Sequence, residues 1–176
     1  MIPESWRDGE VAVVGLGRSG VAATEWLMQQ GIRVYASDVA DTPKVRGAAE
    51  RLGALGAHAE CGRHDLERVA RAVAVVVSPG VPPYADVVKA ARRAGVDVVA
   101  ELELGARALG GAKLLVVTGT NGKSTTTALA AHLLAAGGIP AVAAGNIGLP
   151  LSRVAGAARR YTWVAVEASS FQLHDS

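Results

Sequence analysis

The sequence predicts an α/β chain, with a small Rossmann-like parallel-sheet domain first and the opening part of a phosphate-loop domain after it. Three observations carry that prediction. Short Val-rich runs alternate with Ala-rich stretches of helical length along the 176 residues, and such alternation builds parallel sheets with crossover helices. A loop of the form Gly-x-Gly-x-x-Gly, Gly15–Gly20, follows the first Val run. A second glycine-rich turn, this one carrying a lysine, follows a later run that ends at Val117.

Composition supports a folded core and removes several function classes. Half of the residues are apolar and 19% are charged, which excludes a disordered chain. Only 4% are aromatic, so the core must come from Val, Ala and Leu. The net charge is +2, and the longest basic runs are the pairs Arg92-Arg93 and Arg159-Arg160. Neither a nucleic-acid groove nor a membrane-binding surface is expected from charges so scattered. The single cysteine, Cys61, excludes an intramolecular disulfide, fits a reducing compartment and reads as a buried small side chain. The opening residues lack an apolar signal core, and no apolar run reaches the roughly 18 residues of a membrane span. The expectation is a soluble cytoplasmic protein.

The elements follow in order from pattern and punctuation. Strands are expected at 11–14, 33–37, 57–61, 73–78 and 96–99, the third of them weak. Helices are expected at 20–30, with Trp26 and Leu27 inward and Gly31 as the stop, then at 44–55, 65–70, 85–94 and 101–109. Gly110-Gly111 marks a joint, giving a first domain over 1–110 and a second over 111–176. In the second, strands at 113–117, 140–143 and 162–166 alternate with helices at 124–136 and near 151–158, with a loop at 144–149. Three strands would leave apolar edges and faces uncovered, so the second domain is read as the first part of a larger one.

The segment Leu114–Thr127 runs from strand through glycine turn to helix start. Backbone N–H groups of such a turn and the helix N-terminus form a concave anion site. Gly119, Thr120, Asn121, Gly122, Lys123, Ser124 and Thr125 are the expected ATP-binding residues. Lys123, one of four lysines, would grip the terminal phosphates, and Ser124 would hold a phosphate-bridging magnesium. The strict Gly-x-x-x-x-Gly-Lys-Ser pattern fails at its first position, which is Val117.

Read alone, Gly15–Gly20 with Asp38 at the end of the next strand is a dinucleotide fingerprint. An NAD domain needs two mononucleotide halves, however, and the phosphate loop intervenes by residue 119. A pyrophosphate-bearing substrate therefore competes with NAD. Ser78-Pro79-Gly80 ends a central strand, where ligands of open sheets bind. Asn146 stands between two glycines, and Glu167 ends an apolar strand where a carboxylate can complete magnesium coordination. The four histidines lack metal-like spacing and attract no role.

Five segments together resemble the Mur ligases of peptidoglycan synthesis, in particular their D-glutamate-adding branch. They are Gly15–Gly20, the Ser78–Pro83 stretch S-P-G-V-P-P, T-G-T-N-G-K-S-T at 118–125, G-N-I-G-L-P-L at 145–151 and E-A-S-S-F-Q-L at 167–173. Ala168 departs from the family's usual Leu. The resemblance implies that the first domain holds the UDP of a UDP-N-acetylmuramoyl-L-alanine substrate. Gly17, Arg18 and Ser19 would line its phosphates, Asp38 and Val39 would lie near the uridine, and Ser78, Pro79 and Gly80 would close the site. Asn146, Ser169 and Gln172 would face the muramoyl-peptide end. Lys123 and Glu167 become the catalytic pair, with Ser124 and Glu167 holding Mg2+ beside ATP. The resemblance also implies a monomer at full length. It places a downstream magnesium-binding histidine, a carbamylated lysine and the D-glutamate-binding domain beyond Ser176, so this chain by itself is expected to bind nucleotide without ligating.

Overall fold

The computed structural model describes residues 2–157 and 160–169. The chain divides into two compact units, Ile2–Glu101 and the part from Leu102 onward.

In the first unit a short 3-10 turn, Glu4–Arg7, precedes β1 (Glu10–Val14), α1 (Arg18–Gln29), β2 (Arg33–Asp38), α2 (Pro43–Ala54), β3 (His58–Cys61), α3 (Leu66–Ala70), β4 (Ala74–Val77), α4 (Asp86–Arg93) and β5 (Val98–Ala100). The sheet order is β3-β2-β1-β4-β5, with every pair parallel. β1 is central, and Val11, Ala12, Val13 and Val14 are wholly buried. An unbroken apolar strand of this kind is what a sheet covered on both faces requires.

The 3-10 turn has no counterpart in the sequence reading, yet it buries Trp6. β5 starts later than expected because Val96 N–H bonds to Ala91 O at 3.0 Å, closing the end of α4. Cys61 is half-exposed rather than buried, with its Sγ 3.4 Å from Asp41 Oδ1. The largest correction concerns α1, which starts at Arg18 rather than at the third glycine, Gly20, with Gly17 as its N-cap. Gly20 lies inside the helix, where a Cβ would stand 1.7 Å from the Gly15 carbonyl oxygen. Its role is close helix–loop packing, and the turn itself belongs to Gly15–Gly17.

The second unit takes in most of α5 (Glu101–Ala108), so the units part ahead of the Gly110-Gly111 joint. α5 lies against its own unit, with Gly105 on the Leu151 side chain. β6 (Lys113–Val117), α6 (Lys123–Ala136), β7 (Ala141–Gly145), α7 (Leu151–Ala155) and β8 (Trp163–Glu167) follow. Their parallel sheet has the order β6-β8-β7. The middle strand buries Val164, Ala165 and Val166, while Leu114 and Val116 on β6 and Leu129 and Leu133 on α6 are exposed. The uncovered apolar surface expected of three strands is present. β7 reaches Gly145, two residues past its expected end, because Gly145 stays in register with Glu167. No helix among the described residues is long and apolar enough to cross a membrane.

Candidate functional site

At the C-terminal edge of the first sheet, hydrogen bonds tie three loops together. Gly15 N–H donates to Ser37 O at 2.8 Å, and Leu16 N–H donates to Asp38 Oδ2 at 2.7 Å. Ala40 N–H donates to the other carboxylate oxygen of Asp38 at 2.8 Å. The Ser78 hydroxyl, buried, donates to Gly15 O at 3.0 Å. Asp38 and Ser78 thus hold the glycine loop in place. Gly17, Arg18, Val39, Pro79 and Gly80 are exposed around it, and Ser19 is half-buried. The N-terminus of the twelve-residue α1 opens at this edge, offering backbone N–H groups and a positive dipole end to an anion. Each first-unit residue singled out in the sequence therefore lies at one edge of one sheet.

In the second unit, the turn from Thr118 to Gly122 joins β6 to α6, and its residues from Thr118 to Asn121 are exposed. Gly122 is the N-cap of α6, and Lys123 is its first residue. Lys123 Nζ donates to Gly119 O at 2.8 Å and to Thr120 O at 3.3 Å, so the ammonium folds over its own loop. The Ser124 hydroxyl donates to Glu167 Oε2 at 2.6 Å. Glu167 is buried at the end of the central strand.

Beside it, Asn146 N–H donates to Glu167 O at 3.0 Å. That approach depends on Gly145, where a Cβ would stand 2.3 Å from Glu167 O at a φ of +98°. Any side chain there would push Asn146 away from the acidic strand end. The structure brings Gly119–Thr125, Asn146 and Glu167 together around one helix terminus. Ser169 follows two residues beyond Glu167 and is half-buried, whereas Gln172 lies outside the described residues.

Sequence reasoning missed two features of these sites. Thr127, taken only as part of the first helical turn, donates its hydroxyl to Lys123 O at 2.8 Å and steadies the base of the loop. His64, given no role, has its Nδ1 2.8 Å from the hydroxyl of fully buried Ser37. The available signal was a serine closing the buried run Val34–Ser37.

Comparison with known families decides the ancestry of this arrangement. Residues 9–100 match the model of the Mur ligase MurD-like N-terminal domain, and residues 117–176 match that of the Mur ligase middle domain. The chain belongs to the Mur ligase family. It is 47% identical over 170 residues to a UDP-N-acetylmuramoylalanine–D-glutamate ligase of Frankia casuarinae, covering 97% of this chain and 36% of that protein. A ligase of the same name from Myxococcus xanthus is 44% identical over 93% of this chain and 36% of its own length. The chain thus spans about a third of the curated relatives it matches.

Solved Mur-type ligases share the fold. One is the UDP-N-acetylmuramate:L-alanyl-gamma-D-glutamyl-meso-diaminopimelate ligase of Neisseria meningitides, with a TM-score of 0.56 and 19% identity over 93% of this chain and 55% of that one. Another is the UDP-N-acetylmuramate-alanine ligase of Thermotoga maritima, with a TM-score of 0.51 and 21% identity over 92% and 37%. At such identities these Mur ligases speak for the fold alone.

Proposed function

We propose that the chain supplies the UDP-substrate and ATP sites of a cytoplasmic ATP-dependent ligase that adds D-glutamate to UDP-N-acetylmuramoyl-L-alanine during peptidoglycan precursor synthesis. The observation that carries this reading is the pairing of Ser124 with Glu167 at the mouth of a lysine-bearing phosphate loop, in a chain whose other unit offers a second anion site. Relatives 38–47% identical to the chain bear the name of that ligase.

The first unit, read as the 1–110 domain or its compact 2–101 part, receives the UDP. Backbone N–H groups from Gly17 to Ser19 face its phosphates, Asp38 keeps the loop in shape, and Val39 with Pro79 and Gly80 walls the site. In the second unit Lys123 leaves the Gly119 and Thr120 carbonyls for the terminal phosphates of ATP. The Ser124 hydroxyl and the Glu167 carboxylate converge at 2.6 Å, an all-oxygen donor set that fits a hard cation such as Mg2+. When bound, the ion neutralises phosphate charge. The L-alanyl carboxylate of the substrate accepts the γ-phosphoryl group, and the amine of D-glutamate then displaces phosphate to form the amide. Positioning and charge neutralisation are the protein's share of such chemistry. Asn146 and Ser169 stand beside the acidic strand end to orient the muramoyl-peptide portion, with Gln172 as a further candidate.

The glycine loop sustains one competing reading, an NAD-binding protein, and titration separates the two. Calorimetry of the chain is expected to give saturable heat with UDP-N-acetylmuramoyl-L-alanine and none with NADH. Saturable binding of NADH alone would overturn the assignment.

A further inference from the structure

Tyr84 is 70% exposed, more than any other large hydrophobic side chain among the described residues. It stands on the loop from Ser78 to Ala85, between β4 and α4. An exposed tyrosine on a loose loop would be ordinary, but this backbone is fixed. Val81 N–H donates to Ser78 O at 3.0 Å, and Ala85 N–H donates to Pro82 O at 3.0 Å, so the loop is built of two successive turns. Pro83 and Tyr84 are the central residues of the second turn, and Pro82 and Pro83 each lock a backbone angle ahead of the ring. The first turn is anchored on the glycine loop. The Ser78 hydroxyl bonds to Gly15 O, and a Cβ at Gly15 would stand 3.2 Å from Val81 Cγ2. The cost of ordering this segment therefore falls on folding rather than on ligand binding, as a preorganised contact requires.

The place of the ring along a ligand follows from the strand order. β1, which leads into the glycine loop, lies between β2 and β4. The chain leaves β1 for β2 and reaches β4 on the other side, so the crevice of the switch point opens between β1 and β4. In such sheets the acid that ends the second strand takes the ribose, and the pyrophosphate rests on the N-terminus of the first helix. Asp38 is that acid, and each of its oxygens accepts one backbone N–H and keeps a lone pair for a ribose hydroxyl. A nucleoside diphosphate laid this way has its nucleoside on the β2 side, beside exposed Val39, and its phosphates at the start of α1. The group carried by the second phosphate then leaves toward the β4 side, where the rigid loop holds Tyr84.

A pyranose has an apolar face of C–H groups. A tyrosine ring can cover such a face while ordering only two side-chain torsions. We propose that Tyr84 is a ligand-contacting specificity residue of the first unit, its ring covering the C–H face of the sugar borne by the bound nucleoside diphosphate. The inference rests on the reading of this unit as the UDP-substrate site. It sets the sugar, and not the base, against the aromatic ring.

The test titrates UDP and UDP-N-acetylglucosamine into the unmodified chain, Tyr84→Ala and Tyr84→Phe. The second ligand adds the hexosamine alone, without a lactyl peptide. The unmodified chain is expected to bind it roughly three- to tenfold more tightly than UDP, the range of one aromatic contact. Tyr84→Ala is expected to bind UDP as the unmodified chain does and to lose the preference. Tyr84→Phe, which keeps the ring, is expected to retain it. A preference that persists in Tyr84→Ala, is lost in Tyr84→Phe or is absent from the unmodified chain overturns the role of the ring and leaves the UDP site standing. If Tyr84→Ala weakens UDP and the sugar nucleotide equally, the ring serves the nucleoside and the proposal falls. Failure of the unmodified chain to bind UDP overturns the site and this inference with it. Proton NMR of the unmodified chain gives a readout that needs no variant. Overhauser contacts between the Tyr84 ring and the pyranose C–H protons are expected at saturation, and their absence overturns the proposal.

Discussion

Replacing Lys123 with alanine is expected to weaken ATP binding by two or more orders of magnitude while leaving the fold nearly as stable as before. Among the described residues the ammonium bonds only to carbonyls of its own exposed loop, Gly119 at 2.8 Å and Thr120 at 3.3 Å. Hydrogen bonds made in water contribute little to stability, about 1 kcal/mol at most. Against a triphosphate the same ammonium makes charge-assisted bonds in a partly desolvated cradle, where truncating one partner costs about 2–5 kcal/mol. Calorimetric titration with magnesium-ATP, run beside urea unfolding of both proteins, separates the two quantities. An affinity unchanged by Lys123→Ala would remove the residue's assigned role. A large drop in stability would mean that the lysine holds the loop together instead of serving a ligand.

Gly20→Ala is expected to destabilise the first unit by about 3 kcal/mol, the upper range for forcing an extra methyl into a packed site. Its Cβ would lie 1.7 Å from Gly15 O and 2.8 Å from the Ser78 hydroxyl oxygen. Two of those atoms are bonded to each other, Ser78 Oγ to Gly15 O. Neither a rotamer change nor a small shift of one partner makes room, and α1 must move off the loop. Gly17→Ala is the control. A Cβ there meets nothing within 4 Å, and its extended backbone suits alanine, so the expected cost is under about 1 kcal/mol, that of a poorer N-cap. Urea midpoints for the two variants check the contrast, and equal midpoints would contradict it.

The legible parts of the molecule were those whose physics is local. The Val11–Val14 run announces a strand covered on both faces, and its position before a glycine loop identifies the strand-to-helix crossing. The adjacency of Lys123 and Ser124 after a glycine turn announces the start of α6, even with valine at position 117. Glu167 was legible because a carboxylate at the end of an apolar strand must lie at the C-terminal edge of a parallel sheet, although its bond to Ser124 spans 43 residues. What the sequence concealed depends on chain segments meeting across the fold. Gly20 resembles a turn residue until the carbonyl of Gly15 is placed against it. Asp38 was marked as a ligand acid, but its tie to the glycine loop through Leu16 N–H and to Ala40 N–H could be read only from the fold. His64 reaches Ser37 only because the loop after β3 doubles back over the sheet edge.

β6 lies at one border of the second sheet with Leu114 and Val116 turned to water, and α6 carries Leu129 and Leu133 one turn apart on its outer side. Among the described residues no strand pairs with the outer side of β6. A bare apolar border is a template on which another strand can pair. Light scattering of concentrated solutions is expected to show association that Val116→Lys suppresses, because a charge on an edge strand is a standard guard against such pairing. Association that persists unchanged in the variant would place the adhesive surface elsewhere.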